Sequence, residues 1–65
     1  MRCHSHDHAI SQARANAKTF GEAYIVFTDT NGVWNCERDR PQSPTPHERY
    51  APDGTMTRYS PKVTP

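Results

Sequence analysis

Apolar and polar residues follow a helical period in the first third of the chain. Four apolar residues recur at spacings of three, four and three, and so share one helix face: Ile10, Ala13, Ala17 and Phe20. Ser5 and Asp7 are both suited to cap the start of this helix, because their side-chain oxygens accept backbone N–H bonds. Gly21 fits a left-handed stop at its end. The pattern predicts an amphipathic helix near residues 8–20.

The next apolar stretches have the composition of β-strands. Residues 23–28 and 33–37 are rich in β-branched and aromatic side chains. Asn31-Gly32 lies between them and favours a hairpin turn, because both residues tolerate positive φ. Alternation puts Trp34 and Cys36 on one strand face. We expect Trp34 to face the helix with one of two pairs, which the unknown register leaves open: Ile25 with Phe27, or Tyr24 with Val26.

Proline divides the chain near residue 40. All six prolines follow that point: Pro41, Pro44, Pro46, Pro52, Pro61 and Pro65. Residues 40–46 should be extended, since proline fixes its own φ and biases its predecessor away from helix. Pro52-Asp53-Gly54 is a turn signal, and its flanks allow a second hairpin. We therefore predict a helix-plus-hairpin core over 1–40 and a proline-rich arm with this second hairpin over 41–65, within a single domain.

Together these elements predict an α+β fold, in which one N-terminal amphipathic helix packs on a small antiparallel sheet and a proline-rich extended arm follows. The chain has 65 residues and contains no leucine. Chains of this size bury only roughly 60% of the surface that they expose when unfolded. Such scaffolds usually need a disulfide, a metal or a partner chain for stability.

Charge and apolar content limit the class of partner. Eight basic and seven acidic residues leave a net charge of +1, which gives no overall electrostatic case for nucleic acid. No apolar run reaches the length of a signal-peptide core or a membrane span. Two cysteines permit at most one internal disulfide. We expect a soluble cytoplasmic protein with reduced thiols and no membrane partner.

The N-terminal run Cys-His-Ser-His-Asp-His suggests a metal site. Zinc uses thiolate and imidazole ligands, and four of them form a structural site. The candidate ligands are Cys3, His4, His8 and Cys36. The spacing lacks the Cys-x-x-Cys pattern that makes zinc assignments strong. We therefore expect the run to serve as the polar start of the helix, with no cofactor, and keep zinc as the alternative.

An enzyme is not expected. A cysteine nucleophile needs a neighbouring base, an orienting group and a pocket of several hundred Å³ around them. A chain of 65 residues has little volume for such a pocket. No catalytic residue is nominated.

Binding residues are sought instead in the second half, where aromatic and arginine side chains recur. These residue types anchor protein interfaces. The candidates are Arg38, Arg40, Arg49, Tyr50, Arg58 and Tyr59. A protein is the expected partner. Nucleic acid is the alternative, because aromatics and arginines on a sheet also bind single strands.

In its order of elements and its size, the chain resembles many very small accessory proteins of phages and mobile elements, including inhibitors of host enzymes and anti-CRISPR proteins. The resemblance carries no motif and assigns no residue. It implies a stoichiometric inhibitor of a host protein complex, active in host takeover. Two other classes stay open: a zinc-stapled nucleic-acid-binding module, and a homo-oligomeric structural subunit.

Overall fold

The computed structural model describes residues 2–59, which form one helix and a four-stranded sheet. The elements in chain order are α1 (His6–Phe20), β1 (Tyr24–Thr28), β2 (Trp34–Arg38), β3 (Glu48–Tyr50) and β4 (Met56–Arg58). The strand order is β2-β1-β3-β4, and every neighbouring pair is antiparallel. This confirms the predicted α+β fold and both hairpins. Residues 60–65 of the predicted arm, which was assigned to 41–65, lie outside the described residues.

Helix α1 begins and ends with the predicted signals. Ser5 is the N-cap, and its hydroxyl accepts the His8 N–H at 3.2 Å. Gly21 has φ of 67°, and its N–H donates to the Ala17 carbonyl at 2.9 Å. Asp7 lies in the first turn, where a negative charge is favourable. The helix therefore starts two residues earlier than predicted, at His6 rather than at residue 8.

We expect Ser5→Ala to lower the free energy of unfolding by about 1 kcal/mol, the usual cost of an N-cap. The reason is that the His8 N–H loses its side-chain acceptor. Thermal unfolding followed by circular dichroism measures the change. Ser5→Asp is the matched control, since it keeps an acceptor oxygen and should melt near the wild-type temperature. Equal loss in both variants would contradict the capping role.

The buried face of α1 is a line of alanines. Ala9, Ala13 and Ala17 are each completely buried, which lets the helix backbone approach the sheet closely. Ile10 is only half-buried, and Phe20 is 58% exposed. The prediction that Phe20 belongs to the helix face that packs on the sheet was wrong. A step of four residues, from Ala9 to Ala13 to Ala17, defines the contact line, and Phe20 lies beside it.

The register decides which strand residues face the helix. Val26 lies opposite Cys36, and Thr28 lies opposite Trp34. The helix-side core contains Tyr24, Val26, Cys36 and Tyr50 with the three alanines, and Trp34 packs against it. Of the two predicted pairs, Tyr24 with Val26 is therefore the one beside Trp34.

Both hairpins use the same three-residue loop. In the first, the Gly32 N–H donates to the Asp29 carbonyl; in the second, the Gly54 N–H donates to the Ala51 carbonyl. Both glycines have positive φ, at 78° and 95°, which is strained for other residues. Within residues 2–59 no residue other than glycine has positive φ. The Asn-Gly pair therefore lies in the predicted hairpin turn, which is closed by a glycine bulge in which only Gly32 has positive φ.

Residues 39–47 connect β2 to β3 across the central strand. Both strands are antiparallel to β1 and lie on opposite sides of it, so their connection must pass over one face of the sheet. Because α1 occupies one face, the connection crosses the other. Ile25 and Phe27 lie on that second face, yet only 1% and 6% of their surfaces are exposed. The proline-containing segment at 40–46 thus passes over a second apolar layer, which Ile25 and Phe27 form on the sheet face opposite the helix.

Candidate functional site

A β-bulge brings two polar side chains to the helix side of the sheet. The register places Val26 opposite Glu48, yet the Val26 carbonyl also accepts the His47 N–H at 2.7 Å. His47, just before β3, and Glu48, its first residue, therefore both face Val26 of β1. Bulges re-aim side chains and are frequent at functional sites. Here the bulge directs both His47 and Glu48 toward Trp34 and the first turn of α1.

The resulting cluster contains His6, Thr28, Trp34, His47 and Glu48. The His6 Nε2 atom lies 2.9 Å from both carboxylate oxygens of Glu48. The His6 ring stacks on Trp34 with centroids 4.1 Å apart, and the His47 ring lies 5.0 Å from Trp34. His47 Nε2 hydrogen-bonds to the Thr28 hydroxyl at 3.1 Å. The buried Glu48 carboxylate is thus satisfied by a histidine, and an aromatic ring fixes that histidine in place.

The four predicted metal ligands fall into two pairs. Cys3 and Cys36 are buried thiols within hydrogen-bonding range of each other. His4 and His8 stack at 5.4 Å, and the His4 N–H donates to His8 Nδ1. Among residues 2–59, no three His, Cys, Asp or Glu side chains are arranged to hold a metal ion. The described residues therefore do not bring the predicted zinc ligands together as one group.

Burial, together with the neighbouring Cys3 thiol, raises the pKa of Cys36 from 9.0 to about 11. The folded protein therefore holds this proton more tightly than the unfolded chain does. The resulting stabilisation is complete below pH 9 and is lost as the pH rises through about 11. We expect the urea midpoint of the wild type to fall between pH 8 and pH 10.5, and that of Cys36→Ala to fall less steeply.

The comparison with Cys36→Ala isolates the thiol. Burial also raises the pKa of Tyr50, so part of the alkaline slope is common to both proteins. Parallel slopes in the wild type and the variant would mean that the Cys36 thiol ionises as easily folded as unfolded.

A groove lies between α1 and the second hairpin. Its volume is about 300 Å³, and it is lined by Arg14, Ala15, Lys18, Tyr50, Ala51, Pro52 and Gly54. The helix contacts β1, β2 and β3 but not β4. The helix side of β4 is consequently uncovered, and Met56, which lies opposite Tyr50, is 43% exposed. Because Tyr50 lines the groove and Met56 lies beside it on the next strand, we treat the groove and the uncovered strand together and call them the basic groove.

Positive charge surrounds the basic groove. Arg14 and Lys18 lie on its helix wall, and the charges of Arg14 and Arg58 act on the phenol of Tyr50 in opposition to the charge of Glu48. Within residues 2–59, Arg14, Lys18 and Arg58 form no ion pair. Glu48 lies opposite Arg58, but its carboxylate is turned to His6. Asp53, on the turn, accepts the Thr55 N–H at 2.8 Å. The groove thus offers cations around an aromatic floor.

No family model, curated protein or solved structure matches this chain. No helix among residues 2–59 combines the length and apolar character needed to cross a membrane.

The six predicted partner-binding residues are divided between the two faces of the sheet. Tyr50 and Arg58 belong to the basic groove. Arg38 also lies on the helix side, where it pairs with Glu22 at 2.9 Å. The other three lie away from the groove: Arg49, which pairs with Asp39 at 2.6 Å, the exposed Tyr59 beside it, and Arg40 in the crossing segment. The structure thus brings two of the six together at the groove.

Sequence reasoning missed the helix wall of the basic groove. In the sequence, Arg14 and Lys18 are simply polar positions off the apolar stripe of the helix, as a solvated face requires. A spacing of four residues places them side by side, and neither has an acidic residue three or four positions away on α1. That pattern was visible in the sequence. What it could not show is the hairpin packed beside them.

Proposed function

We propose that this chain is a small non-enzymatic protein that binds one larger protein stoichiometrically through the basic groove. The observation that carries the proposal is the set of three cations, Arg14, Lys18 and Arg58, which surround Tyr50 and form no ion pair within residues 2–59. The partner segment that fits this surface carries carboxylates.

Charge and shape support a protein ligand. Positively charged patches meet negative ones across interfaces, and the complementarity fixes both the partner and the association rate. Arginine and tyrosine are enriched among the residues that contribute most to binding. Arg14 supplies a planar guanidinium that can bind a carboxylate through two hydrogen bonds, and Tyr50 supplies an apolar floor.

The experiment is affinity capture with charge-reversed variants. The test variant is Arg14→Glu with Lys18→Glu, and the matched control is Arg40→Glu on the opposite face. A captured protein that remains with the control but is lost with the groove variant, in a near 1:1 complex, supports the proposal. A partner retained equally by both variants overturns it. Native mass spectrometry of the complex gives its stoichiometry.

The two alternative classes can be tested on the same purified protein. Nucleic acid recovered with the wild type, together with a zinc ion whose removal unfolds the chain, would replace this proposal with the zinc-stapled nucleic-acid-binding module. A concentration-dependent mass in light scattering, with no other protein captured, would replace it with the homo-oligomeric subunit.

The biological role that we propose is inhibition. A cytoplasmic chain of 65 residues that covers an acidic surface of a host protein complex can block that surface without chemistry of its own. This agrees with the general resemblance to phage and mobile-element accessory proteins, including anti-CRISPR proteins. The captured partner would then lose activity in proportion to the amount of the chain added, with saturation near one equivalent.

A further inference from the structure

The hydrogen-bonding pattern of the second hairpin determines which residues of β4 direct their backbone N–H and C=O groups away from β3. The Tyr59 N–H donates to the His47 carbonyl, and the Ala51 N–H donates to the Thr55 carbonyl. Antiparallel ladders alternate between bonded and non-bonded pairs, so Arg49 and Thr57 form the bonded pair between these two. Met56 and Arg58 therefore direct their backbone N–H and C=O groups away from β3.

Within residues 2–59, the two edges of the sheet differ. At the β2 edge, Arg2 forms a bridge with Asn35, and the Cys3 N–H donates to the Trp34 carbonyl at 2.8 Å. The N-terminal residues thus cover part of that edge. At the β4 edge no described residue pairs with Met56 or Arg58. An uncovered edge is a template for another strand.

The outward backbone groups and the basic groove belong to the same surface. Met56 lies opposite Tyr50 and Arg58 lies opposite Glu48, so both side chains point to the helix side of the sheet. A strand added beside β4 would direct alternate side chains to that side, toward Arg58 and the groove. Carboxylates at every second position would therefore meet the cations.

We propose that the partner binds as an extended acidic segment that adds a fifth strand to the sheet at Met56 and Arg58. The inference rests on the proposed function, and it names the class and conformation of the ligand. Backbone hydrogen bonds would supply affinity, and alternate side chains would supply specificity, as in other cases of strand addition. A second copy of this chain, added through its own β4 edge, is a poorer occupant, because Met56–Arg58 carries a cation and no carboxylate.

Amide exchange of the full chain, measured by NMR, tests the proposal. The probe is a capped octapeptide that alternates glutamate with valine, and its matched control alternates lysine with valine. We expect the glutamate peptide to slow exchange at the Met56 and Arg58 amides by at least about tenfold, because both amides gain an acceptor. The Thr57 and Tyr59 amides, already bonded to β3, should change less. The lysine peptide should leave all four unchanged.

A second variant tests the backbone bond directly. Met56→Pro removes the outward N–H but no bond to β3, whereas Met56→Leu keeps the N–H and a similar side chain. We expect the proline variant to bind the glutamate peptide at least about tenfold more weakly than the leucine variant, with the two folds compared by circular dichroism. If the proline variant fails to fold, the exchange measurement on the wild type decides.

The outcomes separate this inference from the proposed function. Groove-dependent capture without protection of Met56 and Arg58 by the glutamate peptide would overturn strand addition and leave the proposed function standing. If the groove variant, Arg14→Glu with Lys18→Glu, captured the partner as well as the Arg40→Glu control does, both the proposed function and strand addition would be overturned. Protection at the β2 edge instead of β4 would also overturn the assignment of the edge.

Discussion

Ala13→Leu is expected to lower the free energy of unfolding by about 3 kcal/mol, the upper part of the range for overpacking a core. Ala13 is completely buried between Ala9 and Ala17, where α1 packs on the sheet. A leucine there adds three carbons at a contact built for a methyl group, so the helix must move away. Because small domains have only marginal stability, this loss should leave much of the protein unfolded at 37 °C.

Ala15→Leu is the matched control. Ala15 is exposed on the same helix, and the two substitutions have the same effect on helix propensity. Urea unfolding followed by circular dichroism should therefore separate them clearly, with Ala15→Leu close to the wild type. If the two variants are equally stable, the alanine line does not set the distance between the helix and the sheet.

Trp34→Ala is expected to cost about 3 kcal/mol, at the lower end for removal of a large core aromatic because Trp34 is half-buried. The ring packs against the helix-side core and stacks on His6 at 4.1 Å. Its loss would also let water reach the bond between His6 and Glu48. A buried carboxylate is costly when its partner is displaced, which adds to the effect.

Trp34→Phe provides the comparison, because it keeps an aromatic ring beside His6 and should recover much of the lost stability. Urea unfolding of the three proteins gives the differences. The contrasting result is informative: an alanine variant that keeps its stability but loses the partner would place Trp34 at the interface and not in the core.

The helix and the first hairpin were predictable because their signals are local. The apolar period of α1, its glycine stop and the β-branched strands each depend on residues close in sequence. The N-cap required a choice between Ser5 and Asp7, which the sequence could not make, since both have a suitable oxygen. Phe20 was misplaced because a single apolar residue at the right spacing does not reveal how far the sheet extends beneath the helix.

The candidate site was less predictable, because it depends on contacts between distant segments. The cluster around Trp34 requires a bulge at His47, and a bulge has no reliable sequence signal. The pairing of His6 with Glu48 joins residues 42 positions apart. Register also decides that Tyr50 and Arg58 share a face while Arg49 lies on the other. None of these relations follows from residue type or spacing alone.

Because residues 39–47 cross β1, we expect the part of the chain before residue 40 and the proline-rich part after it to fold together. A fragment that ended near residue 40 would keep α1 and the first hairpin but leave Ile25 and Phe27 facing water. It would also leave β1 with one neighbour instead of two. We therefore expect the proline-rich half to be required for folding, and the whole unit to unfold in a single transition. The proline boundary at residue 40 marks a change in composition and not a place where the chain can be divided.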